Sequence, residues 1–107
     1  MPTDQYHEPP EELSDEVRTF ARMITSLQEE CEAIGWYEQR ISVEKNKDAR
    51  AIMENAQQEE VKHFAMSLEF LLRGNAKWRV ALKNVLFQKG DIVELGEKAE
   101  AAEEKVD

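Results

Sequence analysis

Glu60-Val61-Lys62-His63 sets a carboxylate and an imidazole three residues apart, so both fall on one face of a helix. Together these groups suit iron, manganese or zinc, and carboxylates stabilise the higher charge when iron passes from Fe(II) to Fe(III). The spacing alone has low specificity, because glutamate makes up 18 of the 107 residues and a solvated, salt-bridging histidine on an acidic helix reads the same way. Position adds weight. His63 and its neighbouring glutamates interrupt an otherwise apolar stripe. A carboxylate buried without a partner costs several kcal/mol, so interior carboxylates need a cation or a proton.

The stripe belongs to a helical hairpin. Val17, Phe20, Ile24, Leu27, Cys31, Ile34 and Ile41 step by three and four, with one omission at Glu38. That seam predicts a first helix from Ser14 to Ser42, capped by Ser14, with Asp15 and Glu16 at the positive end of its dipole. Residues 43–48 are polar and read as a connection, with Asp48 as the next cap. The second helix is expected over 49–73, with a seam of Ala49, Ile52, Ala56, Glu59, His63, Met66 and Phe70 flanked by Met53, Glu60, Phe64, Ser67 and Leu71. A short connection makes neighbouring helices antiparallel. Folded about residues 45–46, Glu30 comes to nearly the same level as Glu60 and His63. Gly74 stops the second helix, and Asn75 caps a short third one whose apolar face is Trp78, Ala81, Leu82 and Val85, ending near Gly90. Residues 1–13, with Pro9-Pro10, read as an extended arm. Residues 14–90 read as the helical domain. The acidic Ala/Glu/Lys-rich tail, 91–107, reads as a frayed helix or as disorder. The expected class is all-α.

One glutamate from one helix and Glu-x-x-His from another make half of the ligand set of a di-metal carboxylate site in a four-helix bundle. Two chains about a two-fold axis supply the whole set. A chain this short buries a limited fraction of its surface and gains from association in any case. Both arguments ask for a homodimeric four-helix bundle. Glu29 and Glu32 flank Glu30, where they line an approach for cations or form an ordinary solvated acidic face. Tyr37 follows Glu30 by two helical turns and can hydrogen-bond a ligand, with Trp36 beside it; for both, interface packing is the default reading. Cys31 sits on the seam and reads as a small core residue, as do Met23, Met53 and Met66. His7 has no partner at ligand spacing.

Composition narrows the function classes. The 107 residues allow one small domain, and a net charge of -9 disfavours a nucleic-acid partner while fitting cations. No apolar run approaches the ~18 residues of a membrane span. No basic-then-apolar leader opens the chain. The single cysteine cannot close an internal disulfide, which fits a reducing compartment.

Thr25-Ser26-Leu27-Gln28-Glu29-Glu30 and Glu32-Ala33-Ile34-Gly35-Trp36-Tyr37-Glu38-Gln39-Arg40 resemble the first helix of the encapsulated ferritins. Glu59-Glu60-Val61-Lys62-His63 and Ala65-Met66-Ser67-Leu68-Glu69-Phe70-Leu71 resemble their second helix, and His7-Glu8-Pro9-Pro10-Glu11-Glu12-Leu13 and Ala76-Lys77-Trp78 are similar to further parts of that family. The resemblance covers roughly residues 6–90. It implies a two-helix half-ferritin that dimerises to build a ferroxidase centre between subunits, with five dimers in a ring. It implies oxidation of Fe(II) to Fe(III) at a di-iron centre, storage of the product by an encapsulin shell, and a cytoplasmic location inside that shell. By the same resemblance the iron ligands and catalytic residues are Glu30, Glu60 and His63, the metal entry site is Glu29 and Glu32, and the aromatic pair beside the centre is Trp36 and Tyr37. Members usually end in a Gly-Ser-Leu-like targeting peptide; this tail ends Ala101-Ala102-Glu103-Glu104-Lys105-Val106-Asp107 without one. Which glutamate bridges the metals stays open. Two other readings fit the residues: a non-catalytic acidic helical assembly module, and a redox-silent zinc or manganese protein.

Overall fold

A computed structural model describes residues 5–107, and the first four residues of the expected arm lie outside the described residues. Those described contain helices and no strand. Helix α1 spans Asp15–Val43, α2 Lys47–Arg73, α3 Ala76–Lys83 and α4 Ile92–Glu104. Ser14 caps α1 as expected, its Oγ accepting from the Val17 amide at 3.2 Å. The arm is not extended throughout, because Pro10 opens a 3-10 turn over Pro10–Glu12. Proline suits a first helical position, where its missing N–H is not needed. Arg18 ties that turn to α1, its Nε donating to the Pro10 carbonyl at 2.7 Å.

The second helix starts two residues earlier than expected. Asn46, not Asp48, supplies the side-chain cap, its Oδ1 accepting from the Ala49 amide at 2.9 Å. Glu44 tightens the connection by accepting from the Asn46 amide at 2.9 Å. Either side chain can cap; Asn46 does so because the helical dihedrals already begin at Lys47.

Two compact units divide the chain, the first ending at Glu69 and the second beginning at Phe70. In the first, α1 and α2 run antiparallel side by side. Gln57 donates to the Ile34 carbonyl at 3.2 Å and Ser67 donates to Glu30 at 3.1 Å, so rising numbers on one helix meet falling numbers on the other. The inward stripe of α1 is Met23, Leu27, Glu30, Ile34, Tyr37 and Ile41; that of α2 is Met53, Gln57, Glu60, Phe64 and Ser67.

The α2 stripe lies one residue along from the expected seam. Ile52 is 71% and Met66 62% exposed, and Glu59 and His63 are exposed between them. One residue turns a helix by about 100°. The expected seam would have pressed both Glu59 and His63 against α1; the observed one brings in a single ionisable group, Glu60. On α1, Leu27, Ile34 and Ile41 point inward as expected. Val17, Phe20 and Cys31 are exposed. Each helix of the hairpin thus carries two apolar edges, of which the single chain buries one.

In the second unit, Asn75 caps α3 as expected, its Oδ1 accepting from the Trp78 amide at 3.0 Å. The tail takes the helical alternative. Asp91 caps α4, its Oδ2 accepting from the Glu94 amide at 3.0 Å, and α4 packs on α3 with Ala99 buried. Leu86 and Phe87 project from the link between them. Phe87 takes φ 62°, a left-handed conformation rare for a bulky side chain.

Candidate metal centre

Glu30 occupies an inward position on α1, between Leu27 and Ile34, and is half-buried. Its two carboxylate oxygens meet different surroundings. Oε1 accepts a hydrogen bond of 3.1 Å from Ser67 Oγ on α2. Oε2 is buried and has no hydrogen-bond partner. An ionised oxygen in that position loses its hydration with no replacement, a state that a bound cation would relieve. The residue type, its burial and its orphaned oxygen all fit a metal ligand.

Glu60 and His63 lie one turn apart on α2, with His63 Nδ1 3.7 Å from Glu60 Oε1. That separation exceeds a hydrogen bond, so the imidazole nitrogen keeps its lone pair or proton available. Glu60 is half-buried and His63 exposed, so the pair spans the border between the inward stripe and the outward one. Because Gln57 meets Ile34 and Ser67 meets Glu30, the stretch holding Glu60 and His63 falls opposite the turn from Glu30 to Ile34. The Glu30 carboxylate itself meets Ser67, about one helical turn beyond His63 and two beyond Glu60, so the three residues expected as ligands occupy successive turns of the hairpin rather than one level. They do not close on a common point within one chain: no three Asp, Glu, His or Cys side chains among the described residues converge to hold a metal. Glu30 faces α2, whereas His63 faces away from α1.

The surrounding residues vary in their fit. Glu29 and Glu32 are both exposed on α1. Glu59 pairs with Lys62 at 2.7 Å, and the hydrogen bond from that ammonium, followed by its charge, holds the Glu59 carboxyl below the ordinary carboxylate value; His63 lowers it further. Tyr37 is half-buried on the same inward stripe as Glu30, with the Arg40 guanidinium 5.4 Å from its ring centroid. Trp36 is exposed. Cys31 is exposed too, contrary to its expected place in the core. The α1 stripe passes through Glu30 rather than Cys31, and that one-residue shift turns the thiol outward. Met66 is likewise outside the core, whereas Met23 and Met53 are half-buried.

Two polar residues bond across the hairpin without standing out in the sequence. Ser67 was visible only as a flank of the seam, and Gln57 not at all. Both fall on the sequence Met53, Gln57, Glu60, Phe64, Ser67, whose four-three spacing is as regular as that of the apolar seam. That polar-interrupted stripe was the available signal.

Known proteins share this fold and sequence. A family model described as EncFtn-like matches residues 5–89. A ferritin-like protein of Thermotoga maritima is 43% identical over 101 residues, covering 94% of this chain and 89% of that protein. An encapsulated ferritin-like protein of Rhodospirillum rubrum is 41% identical over 98 residues, covering 92% of this chain and 69% of that protein. Among solved structures, the crystal structure of protein ne0167 from Nitrosomonas europaea superposes with a TM-score of 0.80 at 43% identity, covering 83% of this chain and 98% of that one. With its antiparallel helical hairpin and a family match that takes in α1, α2 and α3, the chain belongs to the EncFtn-like family.

Proposed function

We propose that the protein is a ferroxidase, oxidising Fe(II) to Fe(III) with dioxygen at a di-iron centre shared between two copies of the chain. Membership of the EncFtn-like family supports an iron-related role. The printed name of the Rhodospirillum relative, an encapsulated ferritin-like protein, supports an encapsulin shell as the compartment that receives the product.

The observation that carries the reading is the orphaned, buried Oε2 of Glu30 on the inward face of the hairpin. Each chain brings two carboxylates and one imidazole, too few to hold two metal ions; a two-fold partner doubles the set. The partner has a surface to bind. The outward edge of α2 carries Ile52 and Met66 on either side of His63, and a second copy would cover it. Covering it also removes water from His63 and Glu60.

Glu30, Glu60 and His63 would hold the iron. Bound iron supplies the redox chemistry, one electron leaving each Fe(II) as dioxygen is reduced. The chain supplies the rest. The carboxylates favour the more highly charged Fe(III), and His63, neutral at its ligating nitrogen, gives a donor that adds no charge. Glu29 and Glu32, exposed beside Glu30, attract the incoming cation, and Trp36 and Tyr37 border the centre.

Aerobic addition of Fe(II), followed by oxygen uptake and ferric absorbance, tests this with a Glu60→Ala/His63→Ala double variant alongside. Rapid oxidation by the parent and background oxidation by the variant is the expected result. Equal background rates in both would overturn the ferroxidase reading.

A further inference from the structure

Ser67 is the one buried polar residue among those described, at 6% exposure. A hydroxyl inside a helix ordinarily turns back on its own backbone, bonding the carbonyl three or four residues earlier. Two others in this chain do so. Thr25 Oγ1 donates to the Ala21 carbonyl at 2.9 Å, and Ser42 Oγ donates to the Gln39 carbonyl at 2.7 Å. Ser67 instead reaches across the hairpin and donates to Glu30 Oε1, 37 residues away, at 3.1 Å.

We infer that Ser67 is a positioning residue for Glu30, its hydroxyl tying one carboxylate oxygen so that the other is presented to the metal. This rests on the metal site proposed above. The geometry is specific. With Oε1 engaged, rotation of the carboxylate out of this plane would break a part-buried hydrogen bond, so one oxygen stays unpartnered. The Ser67 bond comes from the neighbouring helix, so it couples the orientation of the carboxylate to closure of the hairpin. Hydrogen bonds that orient metal ligands typically account for 10- to 100-fold in metal affinity.

Titration of the full-length protein with Co(II), read by visible absorption, measures this without any redox step. Four proteins are compared: the parent, Ser67→Ala, Ser67→Thr and Glu30→Ala. Ser67→Ala removes the hydroxyl without adding volume, and Ser67→Thr restores it. The expected result is Co(II) affinity roughly 10- to 100-fold weaker in Ser67→Ala, near-parent affinity in Ser67→Thr, and loss of the site in Glu30→Ala. Thermal melting without metal separates folding from binding, since a purely structural serine would lower the melting temperature and leave Co(II) affinity alone. Parent-like affinity in Ser67→Ala, with Glu30→Ala impaired, would overturn the positioning role while keeping the site. Equal affinity in parent and Glu30→Ala would overturn the site itself, and the positioning role with it.

Discussion

Gln57 of α2 donates a hydrogen bond of 3.2 Å to the Glu38 carboxylate of α1. Glu38 is the residue that breaks the apolar seam of the first helix, and Gln57 lies between Met53 and Glu60 on the inward stripe of the second. The two interruptions meet each other. The same Gln57 amide lies 3.2 Å from the Ile34 carbonyl, so one side chain reaches two successive turns of α1. A hydrogen-bonded polar pair of this kind fixes register in a way that interchangeable aliphatic contacts do not, because a slip leaves donor and acceptor unmatched.

Replacing Gln57 by alanine should therefore cost about 1 kcal/mol of stability, the net value of a side-chain hydrogen bond. Chemical denaturation of the parent and variant measures it. An unchanged midpoint would show that the cross-helix bond contributes nothing to holding the hairpin.

The start of α2 offers a sharper comparison between neighbouring residues. Asn46 accepts from the Ala49 amide, whereas Asp48 lies within the first turn. Asn46→Ala should destabilise by about 1 kcal/mol. Asp48→Ala should lose only the dipole contribution, a few tenths of a kcal/mol by order of magnitude. Thermal melts that rank the two the other way would move the cap to Asp48.

Much of the fold could be read directly from the sequence. The inward Leu27, Ile34 and Ile41, the Ser14 cap and the Asn75 cap each rest on local rules that the structure follows. Which apolar edge faces inward could not be read locally. Each helix carries two edges, and the choice between Ile52-His63-Met66 and Met53-Glu60-Phe64 depends on how many ionisable groups each would bury against the other helix. On α2 that leaves Met66 outside, whereas on α1 the inward stripe takes in Glu30 and leaves Cys31 outside. Glu30, Glu60 and His63 stand out in the sequence by type and spacing, and it is on them that the proposed centre rests. Ser67 does not stand out, because a serine in a helix ordinarily bonds its own backbone, and only the tertiary pairing shows it crossing to Glu30.

The link between α3 and α4 holds Phe87 at φ 62° with its ring fully exposed. A left-handed conformation costs a residue with a Cβ about 1–2 kcal/mol, and asparagine tolerates it best after glycine. Phe87→Asn should accordingly raise the melting temperature, by the equivalent of about 1 kcal/mol at most. A lowered melting temperature would show that the ring is covered when chains associate.

The central claim is that two chains complete one centre. Fe(II) oxidation per chain, measured across a dilution series with sedimentation on the same samples, tests it most directly. The account predicts that specific activity falls in step with the dimer fraction and vanishes in the monomer. Constant specific activity down to a demonstrably monomeric state would contradict it, placing the chemistry within a single chain.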